Sequence, residues 1–224
     1  MNKFLLPIYA VVIGVAIAQL TKNKNTWNTK LLLSFSGAFL LALTLFELLP
    51  EVYNHLDTKL SGLFIMSGIL LQITLELFSR GAEHGHVHIK KGSMVFPWML
   101  FISLCLHSFL EGFPIHEHND MVYGILIHKI PIATLVSVFL FKSEFKITQI
   151  IFFLVVFTAM TPLGTYISNN FDLSEQLVHS INAVVIGIFF HISTTILFES
   201  GDGHKFNLSK FITIILGVGI AYFI

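Results

Sequence analysis

The residues best suited to chemistry sit where hydrocarbon disfavours them. The stretch SLCLHSFLEGFP puts His107 and Glu111 one helical turn apart, and GILIHKIPIA puts His128 and Lys129 just ahead of Pro131. At i and i+4 the first pair shares a helix face. Ionisable groups at membrane depth cost roughly 2.5–3.5 kcal/mol each on insertion scales, so four of them beside a proline point to use. Two imidazoles and a carboxylate on neighbouring helices are a donor set for zinc or a similar divalent first-row metal. A lone buried histidine is more often a hydrogen-bonded core residue. Two of them with a glutamate and two expected helix breaks favour a metal site. Gly112 and Pro114 follow Glu111 at once, and Pro131 cannot donate the backbone bond a straight helix requires. Backbone freed near polar side chains at the midplane is how many transporters build their sites.

The elements that must position these groups follow from composition and spacing. The 224 residues are 54% hydrophobic and 12% charged, with a mean hydropathy of +0.80. Soluble domains carry about a quarter charged residues, so a soluble class is excluded. The 23 phenylalanines suit a lipid-facing surface. Net charge is zero, which gives no support to nucleic acid as a partner, whereas membrane lipid is one. Cys105 is the single cysteine, so no intrachain disulfide can form. Apolar segments near 4–20, 31–50, 59–79, 94–114, 120–141, 147–167, 176–198 and 208–224 have the roughly 17–25 residues a bilayer crossing takes. The first is followed by TKNKN without a small-residue cleavage site and reads as a spanning helix.

The expected fold is therefore all-α: a polytopic membrane protein of eight transmembrane helices, one integral domain over residues 1–224. With both termini outside, Lys22, Lys24, Lys30, Arg80, Lys90, Lys91, Lys142, Lys146, Lys205 and Lys210 fall on the inner side. Only Lys3 and Lys59 then face outward, a strong positive-inside bias. The outer loops hold Glu117, Asp120, Asp172 and Glu175. Small residues at four-residue spacing, Ala10, Gly14 and Ala18, then Ser34, Ala38 and Ala42, read as close helix packing.

In order along the chain, several motifs together resemble the ZIP (Zrt/Irt-like) family of divalent metal transporters. The second span reads SGAFLLALTLFELLPEVY, with LLPE from Leu48 to Glu51. The third ends in an acidic turn at Glu76, and the loop after it, about residues 80–93, carries HGHVH from His84 to His88. The fourth holds H-x3-E-G from His107 to Gly112, the fifth H-x2-P from His128 to Pro131, and the sixth FTAMTPLG from Phe157 to Gly164. The resemblance covers nearly the whole chain. It implies a divergent, bacterial-type member in the inner (plasma) membrane that carries zinc or another divalent metal towards the cytoplasm. The metal is then substrate, and no prosthetic group is implied. A homodimer is compatible with such a protein, though no residue specifies one.

Departures from the family pattern are informative. Lys129 stands where the family usually has an acidic residue, Ile132 follows Pro131 where a histidine or glutamate is usual, and Ser108 replaces an asparagine-like ligand. Thr161 takes the place of a carboxylate on the sixth span. A second metal position is thus dismantled, which leaves His107, Glu111 and His128 as ligands, with water or another side chain as the fourth. Two readings of Lys129 follow. Its ammonium either neutralises Glu111, lowering metal affinity or exchanging a proton against the incoming cation, or turns away to snorkel or pair structurally.

The remaining polar residues divide by position. His84, His86 and His88 could catch metal in an inner loop, and His116 and His118 could collect it at the outer side. Glu47 is a candidate for lining a pathway. His191, followed by Ser193, Thr194 and Thr195, either borders the same cavity or hydrogen-bonds within the core. Glu51, Glu76 and Glu199 lie near helix ends, where interfacial hydration is the simpler account. Two functions rival transport. One is a degenerate homologue that senses or scaffolds with Lys129 blocking the site. The other is an intramembrane metal-dependent hydrolase, which needs an acid or base besides the ligands. All four aspartates fall in loops or at their edges, so an enzyme is not expected.

Overall fold

The computed structural model describes residues 5–20, 27–79, 96–116, 121–199 and 208–224. Among them the chain is helical between short turns. Helix α1 is Leu5–Leu20, and the second span is a continuous rod of α2 (Trp27–Leu43), a π turn (Thr44–Leu48) and α3 (Leu49–His55). Helices α4 (Thr58–Ser79) and α5 (Trp98–Leu110) follow, then a 3-10 turn (Phe113–His116). The last four are α6 (Met121–Lys142), α7 (Ile147–Asn170), α8 (Glu175–Glu199) and α9 (Leu208–Tyr222).

Among the described residues six stretches are long and apolar enough to cross a bilayer: Lys30–His55, Thr58–Phe78, Trp98–Ile115, Met121–Lys142, Ile147–Asn170 and Glu175–Phe198. The chain is an integral, all-helical polytopic membrane protein. The first and last apolar segments make shorter helices than the sequence suggests, 16 residues in α1 and 15 in α9. At 1.5 Å rise per residue they reach about 24 and 22 Å. Both nonetheless lie in the bundle, α1 along α6 and α9 along α2, while α4 runs along α8 and α5 along α7.

Three local features shape the site. Pro50 lacks an N–H, and its ring would clash with the carbonyl one turn earlier. The helix widens just before it, with Leu49 N–H bonding Thr44 O across five residues. This π bulge rotates Glu51 and everything after it relative to α2. The second feature is the end of α5. Its chain loosens at Gly112 as the sequence suggests, and the carbonyls left over accept hydrogen bonds from α7: Thr165 Oγ1 to Gly112 O at 2.9 Å and Ser168 Oγ to Phe113 O at 3.2 Å. Buried carbonyls are rarely left unpaired. The third is Pro131, where the expected break is not found. α6 runs unbroken through it. α1 packs so closely there that a Cβ on Gly14 would meet Ala133 Cβ at 2.6 Å and Ile130 O at 2.9 Å. Close packing keeps the helix continuous although the proline removes one ladder bond.

The core is filled by Phe39, Leu40, Leu43, Leu48, Leu104, Phe153, Phe157 and Phe189, all fully buried. The small-residue stripes act as packing faces: Ala10, Gly14, Ala18, Ser34, Ala38 and Ala42 are buried. Outward faces are apolar, as with Leu63, Met66, Leu70, Ile73 and Leu77 along α4. Hydrocarbon solvates such a surface without cost.

Candidate metal centre

The i, i+4 spacing on α5 brings His107 Nε2 to 3.3 Å from Glu111 Oε2. Glu111 caps the helix, its N–H bonding His107 O at 3.0 Å. α6 supplies His128 from its second turn, with the ring centroid 5.9 Å from that of His107 and the planes at 80°. One ligand atom from each of the three lies within 4.8 Å of the others, and all three side chains are buried. Ser36 of α2 reaches His128 Nδ1 at 3.4 Å. Bonds of about 2.0–2.1 Å place the ligands of a tetrahedral zinc roughly 3.3–3.4 Å apart. His107 and Glu111 already stand at that separation. His107 Nδ1 is buried without a hydrogen-bond partner among the described residues. Such an atom carries a desolvation penalty of about 1–3 kcal/mol.

Lys129 decides the other half of the site. It is 1% exposed and turns inward, so the snorkelling alternative does not hold. Its Nζ donates to Glu111 Oε1, to Ser108 Oγ at 3.1 Å and to Thr161 Oγ1 at 2.7 Å. It also lies 4.6 Å from the centroid of the Phe157 ring. Thr161 Oγ1 in turn donates to Glu111 Oε1 at 2.7 Å. An ammonium has three donors, and here all three have partners. Glu111 is thereby divided: Oε1 belongs to Lys129 and Thr161, while Oε2 faces His107. Ser108 and Thr161 hold the lysine through their hydroxyls. α5 and α7 approach closely enough for this because glycines meet at their crossing. A Cβ on Gly112 would come within 2.3 Å of Thr161 O, and one on Gly164 within 2.0 Å of Phe109 O.

Other residues singled out in the sequence are dispersed. Glu47 lies half-buried in the π turn, outside the three-residue group. His191 does not join that group either. Its Nε2 contacts Glu76 Oε2 at 2.5 Å, both side chains being mostly buried. Interfacial hydration is therefore not the account of Glu76, which is tied to α8 by a directed bond. Glu51 likewise has protein partners: His55 Nδ1 stands 3.1 Å from its Oε1, and His55 stacks on His179. Sequence reading missed His55 and His179. The signal for the first was present, since Glu51 and His55 repeat the i, i+4 spacing of His107 and Glu111. His179, alone on a distant helix, had none. His84, His86, His88 and His118 lie outside the described residues, as does the side chain of His116.

Comparison with known proteins adds an independent line. The family pattern described as ZIP Zinc transporter matches residues 79–224, which contain α5, α6 and α7 with all of the buried site except Ser36. Zinc transporter ZIP1 of Danio rerio is 36% identical over 135 residues, a match covering 57% of this chain. That match spans 45% of the relative's own length.

Proposed function

Because this chain belongs to the ZIP zinc transporter family, we propose that it moves a divalent first-row metal, zinc foremost, across the membrane towards the cytoplasm. His107, Glu111 and His128 are the ion's resting place. The observation that carries the reading is their convergence: three metal-ligating side chains from two helices, buried and with ligand atoms within 4.8 Å. The metal is cargo, so a site with three protein ligands suits it better than a closed four-ligand structural one. The inward direction follows the family resemblance alone; the distribution of lysines orients the helices and not the flux. Hydrolysis is not proposed, because both oxygens of Glu111 are engaged, one by Lys129 and Thr161 and the other beside His107.

Lys129 supports a role beside the ion. Its ammonium sits against the carboxylate where a second cation would otherwise stand, so the site takes one metal at a time and holds a neutralised Glu111 between ions. The same three hydrogen bonds favour one rival reading, a locked homologue that binds without transporting.

Uptake into reconstituted vesicles separates the two. The panel covers zinc, cobalt, nickel, manganese and iron, with the native chain, His107→Ala, Lys129→Ala and empty liposomes. Native flux above the empty vesicles, reduced to their level by His107→Ala, is expected. Native flux no greater than that of empty liposomes would leave only the locked reading. Lys129→Ala is expected to change the apparent metal affinity and the pH dependence of uptake. If both stay as in the native chain, the tuning role is wrong.

A further inference from the structure

A second group of metal-ligating side chains stands at one end of the bundle, apart from the buried three. Glu51 stands in the first turn of α3 and His55 ends it, and His179 lies in the second turn of α8. One ligand atom from each lies within 4.8 Å of the others. The imidazoles of His55 and His179 stack with centroids 4.1 Å apart and planes within 12° of parallel. The contact also places the 56–57 and 171–174 turns at the same end.

The hydrogen bonding orients this group. His55 Nδ1 lies 2.9 Å from Glu51 O. A carbonyl only accepts, so Nδ1 carries a proton, and in the neutral imidazole Nε2 then carries the lone pair. An imidazole held by a backbone carbonyl through one nitrogen, with the other turned to a ligand, is the usual arrangement at metal sites. The Glu51 carboxylate lies beside the ring, with Oε1 at 3.1 Å from Nδ1. Burial is graded across the group: His179 is 4% exposed, while the side chains of Glu51 and His55 are 27% and 43% exposed. A cation could thus arrive from water and meet a wall of protein on the far side. Asn182, at i+3 from His179 on the same helix face, is fully buried, and neither atom of its amide has a hydrogen-bond partner among the described residues. A bare amide in the protein interior one turn deeper is a costly feature for packing alone.

The ordinary reading is a polar contact between two helices at a membrane surface. It accounts for the Glu51–His55 pair. It also covers the parallel rings, whose in-plane lone pairs do not converge as they stand. It does not cover three ligating groups gathered beside an unpartnered buried amide on the next turn, and one ring turned out of the stack would bring the donors together. We propose that Glu51, His55 and His179 form a second, water-accessible site for a divalent transition metal, with solvent completing its coordination. Two imidazoles and one carboxylate select zinc, cobalt, nickel or copper over magnesium or calcium. Partial exposure makes it weaker than the buried site. Its role as a capture site that feeds the buried one rests on the transport reading, whereas metal binding does not.

Cobalt titration of the detergent-solubilised full chain, followed by d–d absorption and equilibrium dialysis, tests it. Two bound ions per chain are expected. His55→Ala and Glu51→Gln, at partly exposed positions, should each weaken the weaker site by on the order of 10–100-fold and leave the tighter one unchanged. His107→Ala should do the reverse. A native stoichiometry of one, or a weak site indifferent to both His55→Ala and Glu51→Gln, overturns the proposal. Vesicle uptake then tests capture alone: His55→Ala should raise the metal concentration needed for half-maximal flux and keep the maximal rate. Two ions bound without any native flux would remove the transport reading and leave this site standing. An unchanged concentration dependence with the weak site abolished would remove the capture role.

Discussion

Glu111→Gln is expected to stop metal uptake and to destabilise the protein by about 3–5 kcal/mol, the usual cost of removing one partner of a buried ion pair. Both effects arise from the division of this carboxylate. Oε2 is the anionic donor beside His107, and an amide in its place is a poor metal ligand. Oε1 is the counter-charge of Lys129, which is 1% exposed and has only the neutral hydroxyls of Ser108 and Thr161 as its other hydrogen-bond partners. Without the carboxylate, an ammonium is left in the interior against two hydroxyls and an aromatic face. The double variant Glu111→Gln/Lys129→Met separates the roles. It should recover most of the thermal stability in detergent, because the buried charge is gone, while uptake stays at the level of empty vesicles. Native uptake by Glu111→Gln would show that the carboxylate is not a ligand. A single variant as stable as the native chain would show that Lys129 does not depend on it.

Gly164→Ala is expected to be nearly as damaging, although it adds only an uncharged methyl group. The new Cβ would lie 2.0 Å from Phe109 O and 3.3 Å from Gly112 Cα, so backbone rather than a flexible side chain must move. Overpacking of a close-packed interior costs typically about 1–3 kcal/mol. Here the displacement also parts α5 from α7, the two helices that bring Thr161 to Glu111. A lower melting temperature in detergent and reduced uptake should appear together. Gly62→Ala and Gly219→Ala are the controls, since nothing lies within 4 Å of a Cβ at either position. They should melt at the native temperature or slightly above it, as alanine is favoured over glycine in a helix by about 1 kcal/mol. Equal melting of Gly164→Ala and the controls would mean that the crossing has slack.

The reverse distinction appears at Pro131 and Pro50. Both are prolines within apolar spans, and the rule that a proline breaks a helix is the same for each. The helix widens into a π turn before Pro50 and continues without a break through Pro131. The difference is made by neighbours, since α1 lies against Ile130, Ala133 and Thr134 through Gly14. No pattern within the fifth span could supply that information.

The sequence by itself determined the solvent and the donor set. An apolar composition makes membrane crossing the one stable outcome for segments of this length. The i, i+4 spacing commits His107 and Glu111 to one face because helical geometry is local. Only the tertiary structure decided that Lys129 turns inward, that Ser108 and Thr161 hold it, and that His179 meets Glu51 and His55. Each of those contacts joins helices far apart in the chain, and in lipid the pairing of helices rests on side-chain packing and hydrogen bonds between them. Hydropathy is nearly the same on every face of such a helix, so it carries no record of which faces meet.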